Sequence, residues 1–162
     1  MKTKRTALLG ITITIAIIMS YIESLFPLSF SVPGIKIGLA NIVIIFVLYK
    51  MSTADAIMVS LIRIILVSLL FGNVMALAYS IAGSTLSLLL MLVLKKSEKF
   101  SIVGVSIAGA VMHNIGQILT AVIILETREI IYYLPVLALS GTVSGVIIGI
   151  VSAIITERIK NV

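Results

Sequence analysis

Arg63, Lys36, His113, Asn41, Asn114 and Gln117 are the side chains that could do chemistry in a chain made otherwise mostly of hydrocarbon. A guanidinium and an ammonium attract anions, an imidazole donates or accepts, and carboxamides hydrogen-bond polar groups without carrying charge. No nucleophile stands beside a base and no two carboxylates are spaced to act together at membrane depth. The pattern points to binding rather than catalysis, and the absence of cysteine and of a second histidine leaves no basis for a metal or cofactor site.

The densest of these stretches is Ser31-Val32-Pro33-Gly34-Ile35-Lys36-Ile37-Gly38-Leu39-Ala40-Asn41. Pro33-Gly34 ends one segment and starts another, and residues 35–49 read as a short apolar helix with Lys36 in its first turn. Free backbone N–H groups and the positive end of the helix dipole, beside an ammonium, make this helix start a candidate anion site formed by Gly34, Lys36, Gly38 and Asn41. A second cluster lies at Gly109, His113, Gly116 and Gln117, spaced by three or four so that they share a helix face, with Asn114 adjacent. Glycines beside a histidine leave room for a ligand or for a neighbouring backbone.

The elements that must position these groups are membrane helices. The chain is 60% apolar and 11% charged over 162 residues, with a mean hydropathy of +1.30, far outside the range of water-soluble domains. A spanning helix needs about 20 mostly apolar residues, and six runs qualify or nearly so: 6–22, 35–49, 55–71, 74–94, 101–125 and 132–156. They form one all-α transmembrane domain over residues 1–162. The first run follows Lys2, Lys4 and Arg5 in the manner of a signal peptide, but no small-residue cleavage site ends it, so it reads as a retained span. Residues 64–94 carry no charge and exceed one crossing, and Gly72-Asn73 is the turn signal that divides them.

With the N-terminus inside, nine basic residues fall in inner segments, whereas Lys36 and Arg128 fall outside and Arg63 lies within a span. This bias places both termini in the cytoplasm of a multi-pass cell-membrane protein. It also removes any nucleic-acid reading of the net charge of +6, because the cations sit in the short connections that set orientation. Arg63, Asn41, His113 and Asn114 then lie near the middle of their spans, and Lys36, Glu23 and Glu126 toward the outer surface, giving a polar path open to the outside.

An arginine at bilayer centre costs about 2.5–3.5 kcal/mol on insertion scales, so Arg63 must face protein, water or a ligand. The acids available to pair it are poorly matched in depth, with Asp55 toward the inside and Glu23, Glu126 and Glu129 toward the outside. Small residues recur every fourth position at Gly141, Gly145, Gly149 and Ala153, at Ala76, Ser80 and Ser84, and more weakly at Ala16 and Ser20. Such seams let helices approach closely, within the chain or at a docking face for another protein.

At residues 33–41 and again at residues 109–117, with Arg63 between, the chain resembles the family known as Gx transporter or heptaprenyl diphosphate synthase component I. That family is similar to the substrate-binding S components of energy-coupling factor transporters, which are small bundles of about six helices with an outward-opening pocket. The resemblance implies a subunit that captures a small anionic or amphipathic solute outside and passes it inward after docking on a coupling subunit and two ATPases. It places the docking seam of the first helix at Ala16 and Ser20. The synthase label conflicts with the residues as a description of catalysis: prenyl elongation needs clustered aspartates for magnesium and diphosphate, and this chain has Asp55 alone. It has no Walker A motif either, so any ATP use belongs to a partner. The alternative function is a non-catalytic membrane scaffold for a prenyl synthase or a flavin or quinone redox system.

Overall fold

A computed structural model describes residues 2–25 and 37–159. The regular elements among the described residues are all helices, in the order α1 (Lys2–Leu25), α2 (Ala40–Lys50), α3 (Thr53–Phe71), α4 (Val74–Lys96), α5 (Ile102–Leu125), a 3-10 segment (Arg128–Tyr133) and α6 (Leu134–Arg158). Five of the helices, all but α2, are long and apolar enough to cross a membrane.

Local chemistry sets most of the boundaries. Asn73 and Ser101 accept from the backbone N–H groups of Ala76 (2.8 Å) and Gly104 (3.1 Å), so their side chains cap α4 and α5. The division of the long uncharged run falls at Gly72-Asn73, as its residues imply. Ser52 caps α3 twice over, accepting from the Asp55 N–H at 3.1 Å and donating to Asp55 Oδ2 at 2.8 Å. Arg5, on α1, donates to the other carboxylate oxygen of Asp55 at 2.6 Å. The chain's lone aspartate is therefore a structural group that ties the start of α3 to α1. Asp55→Asn keeps the shape and loses the ion pair; because Arg5 is largely exposed, the expected loss is about 1 kcal/mol, read as a lowered unfolding temperature in detergent.

The helices close into a ring. α1 packs on α3 and α2, α3 on α4, α4 on α5, α5 on α6, and α6 returns to α2. The seams between α4, α5 and α6 are made of glycine. A Cβ on Gly116 of α5 would lie 2.8 Å from the Gly83 Cα of α4, and a Cβ on Gly145 or Gly149 of α6 would lie 2.7 or 2.8 Å from the Cα atoms of Ile107 and Val103 of α5. The every-fourth-residue seam of α6 is thus spent on packing within the chain. Ala16, with no exposed surface, and Ser20, at 8%, lie inward on α1 as well.

α2 departs most from its sequence reading. It begins at Ala40 instead of Ile35 and has 11 residues, about 16 Å at 1.5 Å per residue, half the thickness of a hydrocarbon core. The physical cause is visible at Gly38, whose φ of +81° is left-handed and cannot continue a right-handed helix. Seven of the residues of α2 are buried (Ala40, Val43, Ile44, Ile45, Phe46, Val47 and Leu48), as befits a helix apolar on every side. Both of its ends are met by charge. Glu23 accepts from the Gly38 N–H at the positive end, while Lys95 donates to the Leu48 carbonyl and lies over the Tyr49 ring at the negative end. Each charge has the sign that the helix dipole favours.

Candidate ligand-binding site

A cavity of about 340 Å³ opens between the six helices, each of which contributes to its wall. It reaches the end of the bundle where α1 stops, α2 begins and α3 turns into α4, through Glu23, Gly38 and Gly72, and its depth is bounded by Met91, Ser106 and Ile148. The end opposite holds Arg5, Lys95 and the start of α3.

The faces of the helices explain which residues reach it. On α3 the buried positions Ala56, Val59, Ser60, Ile64 and Ser68 follow a helical period, and the other side presents Leu61, Ile65, Leu69 and Leu70 outward. Arg63 falls on the inward stripe and lines the cavity beside Ile64 and Val67. On α1 the inward stripe is Thr12, Ala16 and Ser20, with Glu23 one turn further.

Arg63 pairs with no carboxylate among the described residues. Its Nη1 donates to Ser20 Oγ at 3.3 Å and its buried Nε has no hydrogen-bond partner there. Asp55 is taken by Arg5. Glu23 is the acid whose charge reaches Arg63, though the two make no ion pair. An unpaired guanidinium N–H in an apolar wall carries a desolvation penalty that a ligand acceptor would remove.

Of the residues singled out from the sequence, Gly38, Asn41, Arg63, His113 and Asn114 meet at this cavity. Asn41 lies in the first turn of α2. His113 packs over Gly83: a Cβ at that glycine would lie 3.0 Å from the imidazole Cε1 and 3.1 Å from Nδ1. The glycines around His113 therefore serve the neighbouring backbone of α4 as well as the cavity. Asn114 Nδ2 donates to the Leu137 carbonyl of α6 at 2.6 Å, which fixes the amide. Asn114→Ala removes this cross-helix bond from a part-buried position, with an expected destabilisation of about 1 kcal/mol, measurable by thermal unfolding without ligand.

Gln117, one turn beyond His113, lies outside the cavity wall, and its Oε1 is buried without a partner among the described residues. Of the expected anion site at Gly34, Lys36, Gly38 and Asn41, Gly34 and Lys36 fall outside the described residues. What is described is that the positive end of α2 lies at Gly38–Asn41 and is already met by the carboxylate of Glu23.

Glu23, Ser20 and the hydroxyls of Ser68, Ser80, Ser106 and Ser144 are wall residues that the sequence reading did not assign to the site. Glu23 lies just past the first apolar run at residues 6–22 but belongs to the last turn of α1, and Ser20 reads as part of a small-residue seam for packing or docking. Their i, i+3 spacing on one helix was the available signal; nothing in it marks the inward face.

A mostly apolar helical bundle, with five helices able to cross a bilayer and among them a cavity whose apolar walls carry a few polar groups, defines a polytopic membrane protein. Within that class the chain belongs to the heptaprenyl diphosphate synthase component I family, whose model matches residues 12–155. No curated protein and no solved structure matches it.

Proposed function

We propose that this chain is a non-catalytic, substrate-binding membrane subunit, similar to the S components of energy-coupling factor importers. It takes a small anionic or amphipathic solute, such as a vitamin, a flavin or an isoprenoid-related compound, into the cavity between its helices. The observation that carries this reading is Arg63: a guanidinium deep in an apolar bundle, on a cavity wall, with Nε unpaired among the described residues. Asn41, His113 and Asn114 join it there, and a few polar groups set in apolar walls are the usual makeup of a small-molecule site.

In this reading both termini are cytoplasmic and the cavity opens outward, because the end holding Arg5, Lys50, Lys95 and Lys96 carries the cations. α2 is then a sixth pass whose N-terminal end stops below the outer surface. The non-helical backbone at Gly38 and Leu39 is tolerable at that depth because Gly38 lines the cavity instead of meeting lipid. Lys36 and Gly34 remain candidates for the outer rim. Transport itself would require a coupling subunit and ATPases, with Ala16 and Ser20 on α1 as the docking seam that the resemblance suggests.

Titration of purified protein with vitamins, flavins and prenyl phosphates, monitored by calorimetry, tests the proposal directly. Saturable binding at one site per chain supports it. Silence across this panel and across a panel of amphoteric solutes, for protein shown to be folded, removes it.

A second reading has its own support in the family's description, which names a component of a synthase. There the chain anchors a prenyl synthase or a flavin or quinone enzyme at the membrane without doing chemistry itself. Copurification separates the two: a coupling subunit with ATPases favours transport, and a soluble synthase or flavoprotein favours the anchor.

A further inference from the structure

The cavity contains two opposite charges that the fold keeps from neutralising each other. Arg63 and Glu23 both line it and Glu23 acts on Arg63 electrostatically, yet the ion pair found among the described residues is Arg5–Asp55. In weakly polarisable surroundings opposite charges attract strongly, so a nearby acid and guanidinium with nothing else to do would close on one another. Here each is held by something else. Arg63 donates to Ser20 Oγ at 3.3 Å and Glu23 accepts from the Gly38 N–H. Ser20 and Glu23 stand three residues apart on α1, so one helix presents a neutral acceptor to the guanidinium and keeps a carboxylate separate from it.

Resting on the binding-site reading above, we infer that the ligand is amphoteric: a compact molecule whose anionic group meets Arg63 and whose cationic or strongly donating group meets Glu23. Aminocarboxylates are the simplest members of this class. The anionic end takes the Nε of Arg63, which has no partner among the described residues. The cationic end takes the carboxylate oxygen of Glu23 that Gly38 leaves open, close to Asn41, and an apolar side group has Phe71 and Ile148 to lie against. Among the described wall residues the charges are those of Arg63 and Glu23, which sum to zero, matching a zwitterion and leaving a diphosphate with excess negative charge against these walls.

Matched triplets test this on the full chain: L-leucine, L-phenylalanine, L-tryptophan and γ-aminobutyrate, each beside its carboxamide and its N-acetyl derivative, with inorganic pyrophosphate as the multiply charged anion. Each is titrated calorimetrically into the wild type, Glu23→Gln and Arg63→Met. The expected result is at least one amphoteric parent bound about tenfold or more tighter than both derivatives, the loss of one charge-assisted contact each. Glu23→Gln should erase the preference over the N-acetyl form, and Arg63→Met the preference over the carboxamide.

If an N-acetyl acid or pyrophosphate binds tighter than every amphoteric parent and gains from Glu23→Gln, the site is anionic and the inference fails while the binding-site reading stands. The same holds if flavins or prenyl phosphates bind and no amphoteric compound does. Silence of all probes in both panels overturns both.

Discussion

Arg63→Met is expected to lower ligand affinity by about 10- to 100-fold while leaving the unfolding temperature unchanged or raised. The two effects have one cause. Arg63 has one neutral hydrogen bond, to Ser20, and a buried Nε without a partner among the described residues. In the empty protein it is therefore a guanidinium whose desolvation is poorly compensated, and replacing such a charge by an apolar side chain of similar length is often neutral or stabilising. With a ligand acceptor in place, the same group makes a charge-assisted hydrogen bond of about 1.5–3 kcal/mol, and methionine forfeits it. Calorimetric titration and thermal unfolding of the same two samples check both halves. A large drop in stability without loss of affinity would assign Arg63 to the scaffold of the bundle and remove it from the site.

Gly116→Ala is expected to destabilise the bundle by about 1–3 kcal/mol, through overpacking at a contact that has no soft side to give. The added Cβ would lie 2.8 Å from Gly83 Cα, 3.0 Å from the Ala82 carbonyl oxygen and 3.0 Å from Gly83 N, all of them backbone atoms of α4. α4 and α5 would have to move apart, and in lipid their association depends on close packing because there is no hydrophobic gain to hold them. Gly10→Ala is the control. No atom outside its own helix lies within 4 Å of its would-be Cβ, so there the better helix propensity of alanine acts alone and the change is neutral or stabilising by up to about 1 kcal/mol. Reversible unfolding of the two variants in detergent reads the contrast; equal behaviour would mean that the α4–α5 seam is looser than its distances.

The two results also separate the layers of the molecule. Gly83 and Gly116 hold α4 against α5, and the same α5 carries His113 and Asn114 to the cavity. Asn114 is bonded across to α6. The site is therefore presented by the most tightly packed half of the ring, opposite α1 and α3, which bring Glu23, Ser20 and Arg63.

Much of this was legible along the chain. Apolar runs of spanning length mark long helices because a bilayer leaves backbone polar groups no other partner, and Gly72-Asn73 marks the break because the asparagine caps the helix that follows. Depth was legible too. Counting residues from the span ends puts Arg63, Asn41, His113 and Asn114 near mid-span; the four line one cavity, with Asn41 in the first turn of α2 instead of its middle. What the residues left open was direction around each helix axis. In a water-soluble protein the polar face points out, but here lipid and protein interior are both apolar, so Ala16, Ser20 and the α6 glycines carry no sign of which way they look. Packing decided that, turning the seams inward. Packing also decided the pairings between distant segments: Arg5 with Asp55, 50 residues apart, and Glu23 with Gly38, whose left-handed turn shortens α2 and brings a carboxylate to the same cavity as Arg63.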